Sequence, residues 1–286
     1  MYVACHDGKI YAFNATTAVP VSGFPKTVGA GAALDATVSA ANGRIFEGSD
    51  DHDFYAFDAT TGVAISGFPA VTSDVIQSTA AIVSGQVFFG SEDAKLYGVR
   101  RHDGSNLSGF PSATGASVIS SPAVGDGQVI VASEDATIYG DYTSGAFHWS
   151  TGLDDPVRGS PVIANGIVYV NSLSKLYALN EADGTILWRA SVYTNYYASP
   201  MVADGIVYIG STDGNLYAFS VNGVFPASRL PGGELGVKPA ISSLKPDYSL
   251  RAVTQLVLAA IPGPVFSGGR PFRLRWSIIG GGQSWS

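Results

Sequence analysis

The chain has 286 residues, of which 46% are hydrophobic and 14% charged, so it is long enough to bury a core and too apolar to be disordered. Residues 1–237 carry ten Lys and Arg against 22 Asp and Glu, whereas residues 238–286 carry six basic residues and one acid. The acidic body excludes the broad basic surface that nucleic acid binding requires, and no apolar run approaches the length of a membrane-spanning helix. We therefore expect neither a nucleic acid partner nor a membrane span.

One short segment recurs six times along the chain. It consists of a β run, a small residue, a polar loop that is mostly acidic, and a strand that contains a tyrosine. The copies occupy residues 2–13, 45–57, 87–99, 129–140, 168–179 and 207–219. Their tyrosines are Tyr11, Tyr55, Tyr97, Tyr139, Tyr177 and Tyr217, at spacings of 44, 42, 42, 38 and 40 residues. This regularity predicts a protein built from repeats of about forty residues.

Each repeat contains signals for four strands. An Asn-Gly, Asp-Gly or Ser-Gly pair precedes most copies of the segment, and such pairs suit the left-handed positions of a tight hairpin. A second Gly turn and an outer strand follow, as at 58–68 and 180–190. A unit is therefore strand A, a Gly turn, strand B, an acidic loop, strand C, a turn and strand D. Such units, without helical periodicity, predict an all-β fold: a β-propeller of about six four-stranded antiparallel blades.

The repeat resembles a known family. Residues 159–190 and 198–219 follow the pattern S-P-x-V-x-x-G-x-V-Y-V-G-S-x-D-G-x-L-Y-A-F/L, and Trp188 and Trp149 lie at the place of strand D. This pattern is similar to the PQQ-like propeller repeat of the quinoprotein dehydrogenase superfamily, and the resemblance covers about residues 2–241. The superfamily contains enzymes, assembly factors and surface-protein modules, so the resemblance implies a fold and leaves the function open. It also implies an exported bacterial protein, extracellular or periplasmic.

The ends of the chain suggest how the ring is completed. The first unit lacks a strand A, and residues 237–241 resemble one. We predict that this C-terminal strand pairs with the N-terminal blade and closes the ring. The propeller would then span residues 1–241. Residues 242–286 match no repeat and form an extension that either packs on the propeller or begins a further blade.

Alignment of the repeats identifies one variable position at the mouth of the central channel. Counting back from the turn Gly, the sixth residue always carries a hydroxyl and the seventh is always small, which indicates structural roles. The eighth residue differs in every unit: Asp35, Gln77, Ile119, Arg158 and Tyr197. An asymmetric ligand needs such variety, although solvated rim residues also drift freely. Three tyrosines in the last of these loops would either stack on a sugar or plug the channel. The predicted ligand-binding residues are Asp35, Gln77, Arg158, Tyr193, Tyr196 and Tyr197.

The acidic loops between strands B and C suggest a metal site only weakly. Asp50, Asp51 and Asp53 form the densest group of carboxylates, the ligands that calcium prefers. The alternative is that an Asp at this turn bonds its own backbone. The four histidines are too scattered for a zinc site. The resemblance would imply PQQ, but a single cysteine excludes the vicinal cysteines of the quinoprotein dehydrogenases. We therefore expect no cofactor, with calcium as the alternative.

Catalytic motifs are missing from the sequence: it has no Ser-nucleophile elbow, no Walker loop and no His-Glu-x-x-His. We predict a monomeric, non-catalytic module that binds or scaffolds a protein or carbohydrate ligand through the channel-mouth face. One alternative is a carbohydrate-active hydrolase or lyase in the central funnel, with Asp35, Arg158, Tyr196 and Tyr197 at its site. A degenerate quinoprotein dehydrogenase is the third interpretation.

Overall fold

The computed structural model describes residues 1–194 and 197–220. The chain divides into Met1–Asp247 and Tyr248–Ser286, and every described residue belongs to the first part. The predicted closing strand at 237–241 and the extension at 242–286 lie outside the described residues. No helix occurs in the described part, where all regular structure is β-strand. The all-β prediction is therefore confirmed.

The strands form six antiparallel sheets, which we number as blades 1 to 6 in chain order. Blade 1 contains β1 (Tyr2–Cys5), β2 (Lys9–Ala12) and β3 (Lys26–Thr27). Blade 2 contains β4 (Ser39–Ala41), β5 (Arg44–Gly48), β6 (Asp53–Asp58) and β7 (Ala70–Val71). Blade 3 contains β8 (Ala81–Val83), β9 (Gln86–Ser91), β10 (Lys95–Arg100) and β11 (Ser112–Ala113).

Blade 4 contains β12 (Ala123–Gly125), β13 (Gln128–Ala132), β14 (Thr137–Tyr142) and β15 (Phe147–Gly152). Blade 5 contains β16 (Val162–Ala164), β17 (Ile167–Asn171), β18 (Lys175–Asn180) and β19 (Ile186–Ser191). Blade 6 contains β20 (Met201–Ala203), β21 (Ile206–Gly210) and β22 (Leu216–Ser220). Within each blade, hydrogen-bonded neighbours are consecutive in the chain. This meander is the predicted order of strands A to D, and blade 1 begins at its strand B.

The turn between strands A and B follows one geometry in blades 2 to 6. In blade 2, Asn42 and Gly43 both have positive φ, 50° and 74°. The same holds for Ser84-Gly85, Asp126-Gly127, Asn165-Gly166 and Asp204-Gly205. Two consecutive left-handed residues match the right-handed twist of the flanking strands, and Asn, Asp and Gly tolerate them best. The hairpins predicted from these dipeptides are confirmed.

The hydrophobic core lies between consecutive blades. Ile10 of blade 1 belongs to one buried cluster with Ile45 and Phe57 of blade 2. Between blades 2 and 3, the rings of Phe54 and Phe89 stack with their centroids 3.9 Å apart. Three further clusters join blades 3 and 4, blades 4 and 5, and blades 5 and 6. The innermost strands β4, β8, β12, β16 and β20 contact one another in the same order. This face-to-face packing of radial sheets is the architecture of a β-propeller.

The outer edges of the blades take two forms. The prediction of an outer strand at 58–68 is wrong. A turn and a single β-bridge occupy this stretch, and the two-residue β7 follows. The reason is that Gly67 has φ 91° and Pro69 has no N–H to donate. The same Ser-Gly-Phe-Pro ending precedes β3 and β11. In blades 4 and 5 the outer strand forms as predicted, with Trp149 in β15 and Trp188 in β19.

Candidate functional site

A chain of hydrogen bonds links the blades at the start of their innermost strands. The hydroxyl of Thr79 accepts the backbone N–H of Thr37 at 3.0 Å, and the hydroxyl of Ser121 accepts that of Thr79 at 3.0 Å. Ser160 accepts the N–H of Ser121, and Ser199 accepts that of Ser160, each at 2.9 Å. Every bond has the same direction, from one blade to the next. The predicted structural role of the sixth position is confirmed.

The small residues at the seventh position sit where there is no room for a larger side chain. The hydroxyl of Ser78 is fully buried and bonds the backbone N–H and C=O of Gly90, at 2.7 and 2.8 Å. Ser120 bonds Ala132 in the same way. At Gly159, a Cβ atom would lie 2.4 Å from the carbonyl oxygen of the following blade. Packing therefore fixes this position in size.

The variable side chains of the eighth position all line one cavity of about 380 Å³, which we call the mouth cavity. Its lining residues are His6, Asp35, Gln77, Ile119, Ser121, Arg158, Ser160, Tyr197 and Ser199. Each of five consecutive loops between strand D of one blade and strand A of the next contributes one variable side chain. The repeat thus converts a single sequence position into a ring of five different chemical groups.

One side of the mouth cavity is built around Asp35. Its Oδ1 atom lies 2.5 Å from Nε2 of His6, which is in the B–C loop of blade 1. Its Oδ2 atom accepts a hydrogen bond from Nε2 of Gln77 at 3.2 Å. Residues from two neighbouring loops therefore orient this carboxylate.

Another side is built around Arg158. Its Nε atom donates to Oε1 of Glu134, in the B–C loop of blade 4. Its Nη1 atom donates to the hydroxyl of Tyr197 at 2.8 Å, and its guanidinium carbon lies 5.5 Å from the centroid of the Tyr197 ring. Arg158 thereby ties together loops from three blades.

The B–C loops add further negative charge to this face. Burial raises the pKa of Asp50, and the negative charge of Asp35 raises it further. Burial also raises the pKa of Glu92, followed by the charges of Asp74 and Glu134. Acids from consecutive blades therefore repel one another across the face.

The acids predicted as a weak calcium site make contacts that fit the turn alternative. The carboxylate of Asp51 accepts the hydroxyl of Tyr55 at 2.9 Å and the backbone N–H of Asp53 at 3.3 Å. The same pairing of an Asp with the Tyr four residues later recurs in blades 1, 3, 4 and 6. Among residues 1–194 and 197–220, no three His, Cys, Asp or Glu side chains are grouped as metal ligands. Calcium binding at Asp50, Asp51 and Asp53 stays a prediction.

Of the six predicted ligand-binding residues, four lie together. Asp35, Gln77, Arg158 and Tyr197 line the mouth cavity. Tyr193 does not: the residue is 68% exposed, and its backbone oxygen accepts a hydrogen bond from the hydroxyl of Ser211 at 2.7 Å. Tyr196 lies outside the described residues.

Two residues of this site were missed in the sequence. His6 and Glu134 contact Asp35 and Arg158 respectively, yet neither belongs to a loop between blades. Both occupy the place in the B–C loop just before the recurring Asp, where the other units have Asp50 and Glu92. This alignment was the signal that could have identified them.

Comparisons with known proteins agree with the fold described above. The described residues include no helix with the length and hydrophobicity that crossing a membrane requires. No curated protein matches the chain. A family model described as outer membrane protein assembly factor BamB matches residues 92–224.

Two solved structures have similar folds. BamB from Moraxella catarrhalis is 19% identical with a TM-score of 0.64, and the match covers 80% of this chain and 68% of BamB. The computationally designed protein Ika8 is 15% identical with a TM-score of 0.64, over 77% of this chain and 67% of Ika8. At these identities the likeness shows the fold alone. The match of the family model to residues 92–224 agrees with the resemblance that the repeats show, and the similar structures confirm that the fold is a β-propeller.

Proposed function

We propose that this protein is a non-catalytic binding or scaffolding module that holds its ligand in the mouth cavity. One observation carries the proposal. Five different side chains, one from each of five consecutive loops, line a single cavity, while the residues beside them are fixed by packing and hydrogen bonding. A rigid frame with a varied lining is what specific recognition of an asymmetric ligand needs.

The contacts within the cavity support a binding role. Asp35 is held by His6 and Gln77, and Arg158 is held by Glu134 and Tyr197. Groups held in this way are preorganised to orient a ligand, which lowers the entropy cost of binding.

The proposal extends to location. The matching family model is that of an outer membrane protein assembly factor, a description that fits a scaffold in the periplasm or outside the cell. We propose the same kind of role here, for a monomer that engages its ligand through the face bearing the mouth cavity.

A thermal-shift screen with the complete chain tests the binding role. The probes are short neutral, acidic and basic peptides, neutral and charged oligosaccharides, calcium, and PQQ with calcium. A probe at a hundred times its Kd adds about 2.7 kcal/mol to the free energy of unfolding. In a domain of this length, each kcal/mol of added stability raises the Tm by roughly 2–4 °C.

The variants decide where a probe binds. We expect the double variant Asp35→Asn, Arg158→Ala to lose the shift, and Asp183→Asn, in the turn between strands C and D of blade 5, to keep it. If no probe shifts the Tm, or if a shift survives the double variant, the proposal is wrong. Turnover of a bound saccharide would replace it with the hydrolase or lyase alternative.

A further inference from the structure

The floor of the mouth cavity carries hydrogen-bond donors that have no acceptor in the described part of the chain. Ser121, Ser160 and Ser199 each accept a backbone N–H from the preceding blade, and all three line the cavity. None of their hydroxyl groups donates to another atom within residues 1–194 and 197–220. Since a hydroxyl has one proton to donate besides its lone pairs, three O–H donors remain for a ligand or water.

The rest of the lining offers both donors and acceptors. Asp35 presents carboxylate oxygens, Gln77 presents an amide, and Arg158 presents a guanidinium. Ile119 is the one aliphatic side chain among the lining residues. Tyr197, a residue that is 63% exposed, adds an aromatic ring whose centroid lies 5.5 Å from the guanidinium carbon of Arg158. A ligand that fills this cavity must therefore donate and accept hydrogen bonds in several directions.

The charged residues in and around the mouth cavity limit the chemical class of its ligand. An anionic ligand would satisfy the serine hydroxyls and Arg158 but would face Asp35 and the neighbouring Asp50 and Glu92. A cationic ligand would satisfy the acids but would leave the three hydroxyl donors without acceptors and approach Arg158. A polar group that loses its water without gaining a partner costs free energy, so both cases are disfavoured.

A peptide fits the cavity less well than a polyol does. Peptides bind chiefly through buried anchor side chains in well-packed pockets. A cavity whose lining includes one aliphatic residue offers little for such an anchor. Each hydroxyl of a sugar, by contrast, donates and accepts, and the apolar face of a sugar ring packs on an exposed aromatic side chain.

We propose that the mouth cavity binds an uncharged saccharide. This inference rests on the proposed function, since it names the ligand of the same site. The hydroxyl oxygens of the saccharide accept hydrogen bonds from the serine hydroxyls and from Gln77. Its O–H groups donate to Asp35, and one sugar ring lies against the ring of Tyr197.

Isothermal titration of the complete chain with matched saccharides tests the inference. N-acetylchitotriose and its deacetylated, cationic form differ in charge, and maltotriose and trigalacturonate provide a neutral and an anionic probe. We expect at least one neutral probe to bind in a 1:1 ratio, at least tenfold more tightly than the charged probes. Gln77→Leu and Asp35→Asn should each weaken it at least tenfold with an unchanged Tm, while Asp183→Asn should bind like the wild type.

The outcomes separate the two proposals. If a tripeptide binds in a manner that depends on Asp35 and Gln77 while no saccharide binds, the saccharide inference is overturned and the binding role is supported. Tighter binding of a charged saccharide than of its neutral counterpart overturns the inference in the same way. If no probe of either kind binds, both proposals fall.

Discussion

The hydroxyl of Tyr177 donates a hydrogen bond of 2.9 Å to the carboxylate of Asp154, which lies 23 residues earlier in the loop that leads into blade 5. In the other blades, the equivalent tyrosine bonds the Asp four residues before it. Blade 5 has Leu173 four residues before Tyr177, and the carboxylate of Asp154 from the preceding loop takes the place of the missing Asp. The Asp–Tyr bond is therefore a requirement of the blade that two different sequences satisfy.

Replacement of Asp154 should lower the Tm in a pH-dependent way. Hydrogen bonds from Lys175 and Tyr177 hold the pKa of Asp154 below its ordinary 3.8. Because the folded state favours the ionised form, its contribution to stability is present above pH 3.8 and is lost as the pH falls through the lower, folded-state pKa. We expect Asp154→Asn to melt earlier than the wild type at pH 7, with the difference vanishing in acid. Adding Tyr177→Phe to Asp154→Asn should lower the Tm by less than Tyr177→Phe lowers that of the wild type; an equal fall would contradict the hydrogen bond between the two residues.

A buried acid between blades should make the protein less stable in alkali. Glu47 is 1% exposed, and neither of its carboxyl oxygens has a partner among the described residues. Burial raises its pKa from 4.5 to about 9. The folded state thus favours the protonated form, and stability falls as the pH rises from 4.5 to 9, by up to about 1.4 kcal/mol per pH unit.

The matched variants follow from the repeats. Glu47 pairs with Tyr55 across strands B and C, at the place where Phe89 pairs with Tyr97 and Val131 with Tyr139. Glu47→Gln and Glu47→Val should both flatten the plot of Tm against pH between 5 and 9 and raise the Tm at the alkaline end. A wild-type Tm that does not fall over this range would refute the assignment.

The two buried tryptophans of strand D should respond differently to the same change. Nε1 of Trp149 donates to the carbonyl oxygen of Glu181 at 2.9 Å and lies 3.0 Å from Oε1 of Gln128. Nε1 of Trp188 has no acceptor in the part of the chain that the structure describes. Trp149→Phe leaves acceptors unpaired, which costs roughly 1–3 kcal/mol beyond the lost packing. Trp188→Phe loses packing alone, so its melting temperature should fall less, and an equal fall would count against the hydrogen bonds.

The hydroxyls between blades should contribute measurably to stability. Ser121→Ala removes the acceptor of the Thr79 N–H and should cost about 1 kcal/mol, or roughly 2–4 °C in Tm. Ser121→Thr keeps the hydroxyl, as Thr79 itself does for Thr37, and should melt near the wild-type temperature. If the alanine and threonine variants have the same Tm, the hydrogen bond between Thr79 and Ser121 does not stabilise the propeller.

Much of the fold could be predicted because the residues of each repeat determine its own turns and its contacts with the next blade. The hairpin at Asn42-Gly43 needs left-handed φ values that its own residues supply, and the hydroxyl at Ser121 recurs because each blade repeats one neighbour contact. Alignment of the units alone placed Asp35 and Arg158 at one rim.

What could not be predicted depends on contacts between loops. His6 lies 29 positions before Asp35, and alignment of the B–C loops marks its position without showing that it contacts Asp35. Tyr193 and Tyr197 belong to one loop, but only Tyr197 lines the cavity, because an irregular backbone does not alternate its side chains in a fixed way. The prediction of an outer strand at 58–68 was wrong because the positive φ of Gly67 and the missing N–H of Pro69 interrupt a strand there.

The one-way chain of hydroxyl and N–H bonds also has a consequence for engineering. Each inner strand from β8 to β16 brings one acceptor and one donor, so every joint is chemically the same whichever blades it joins. The neighbouring eighth position is outside these joints. A library randomised at those five positions alone would therefore sample new binding specificities on an unchanged framework, much as loops are diversified on an antibody domain.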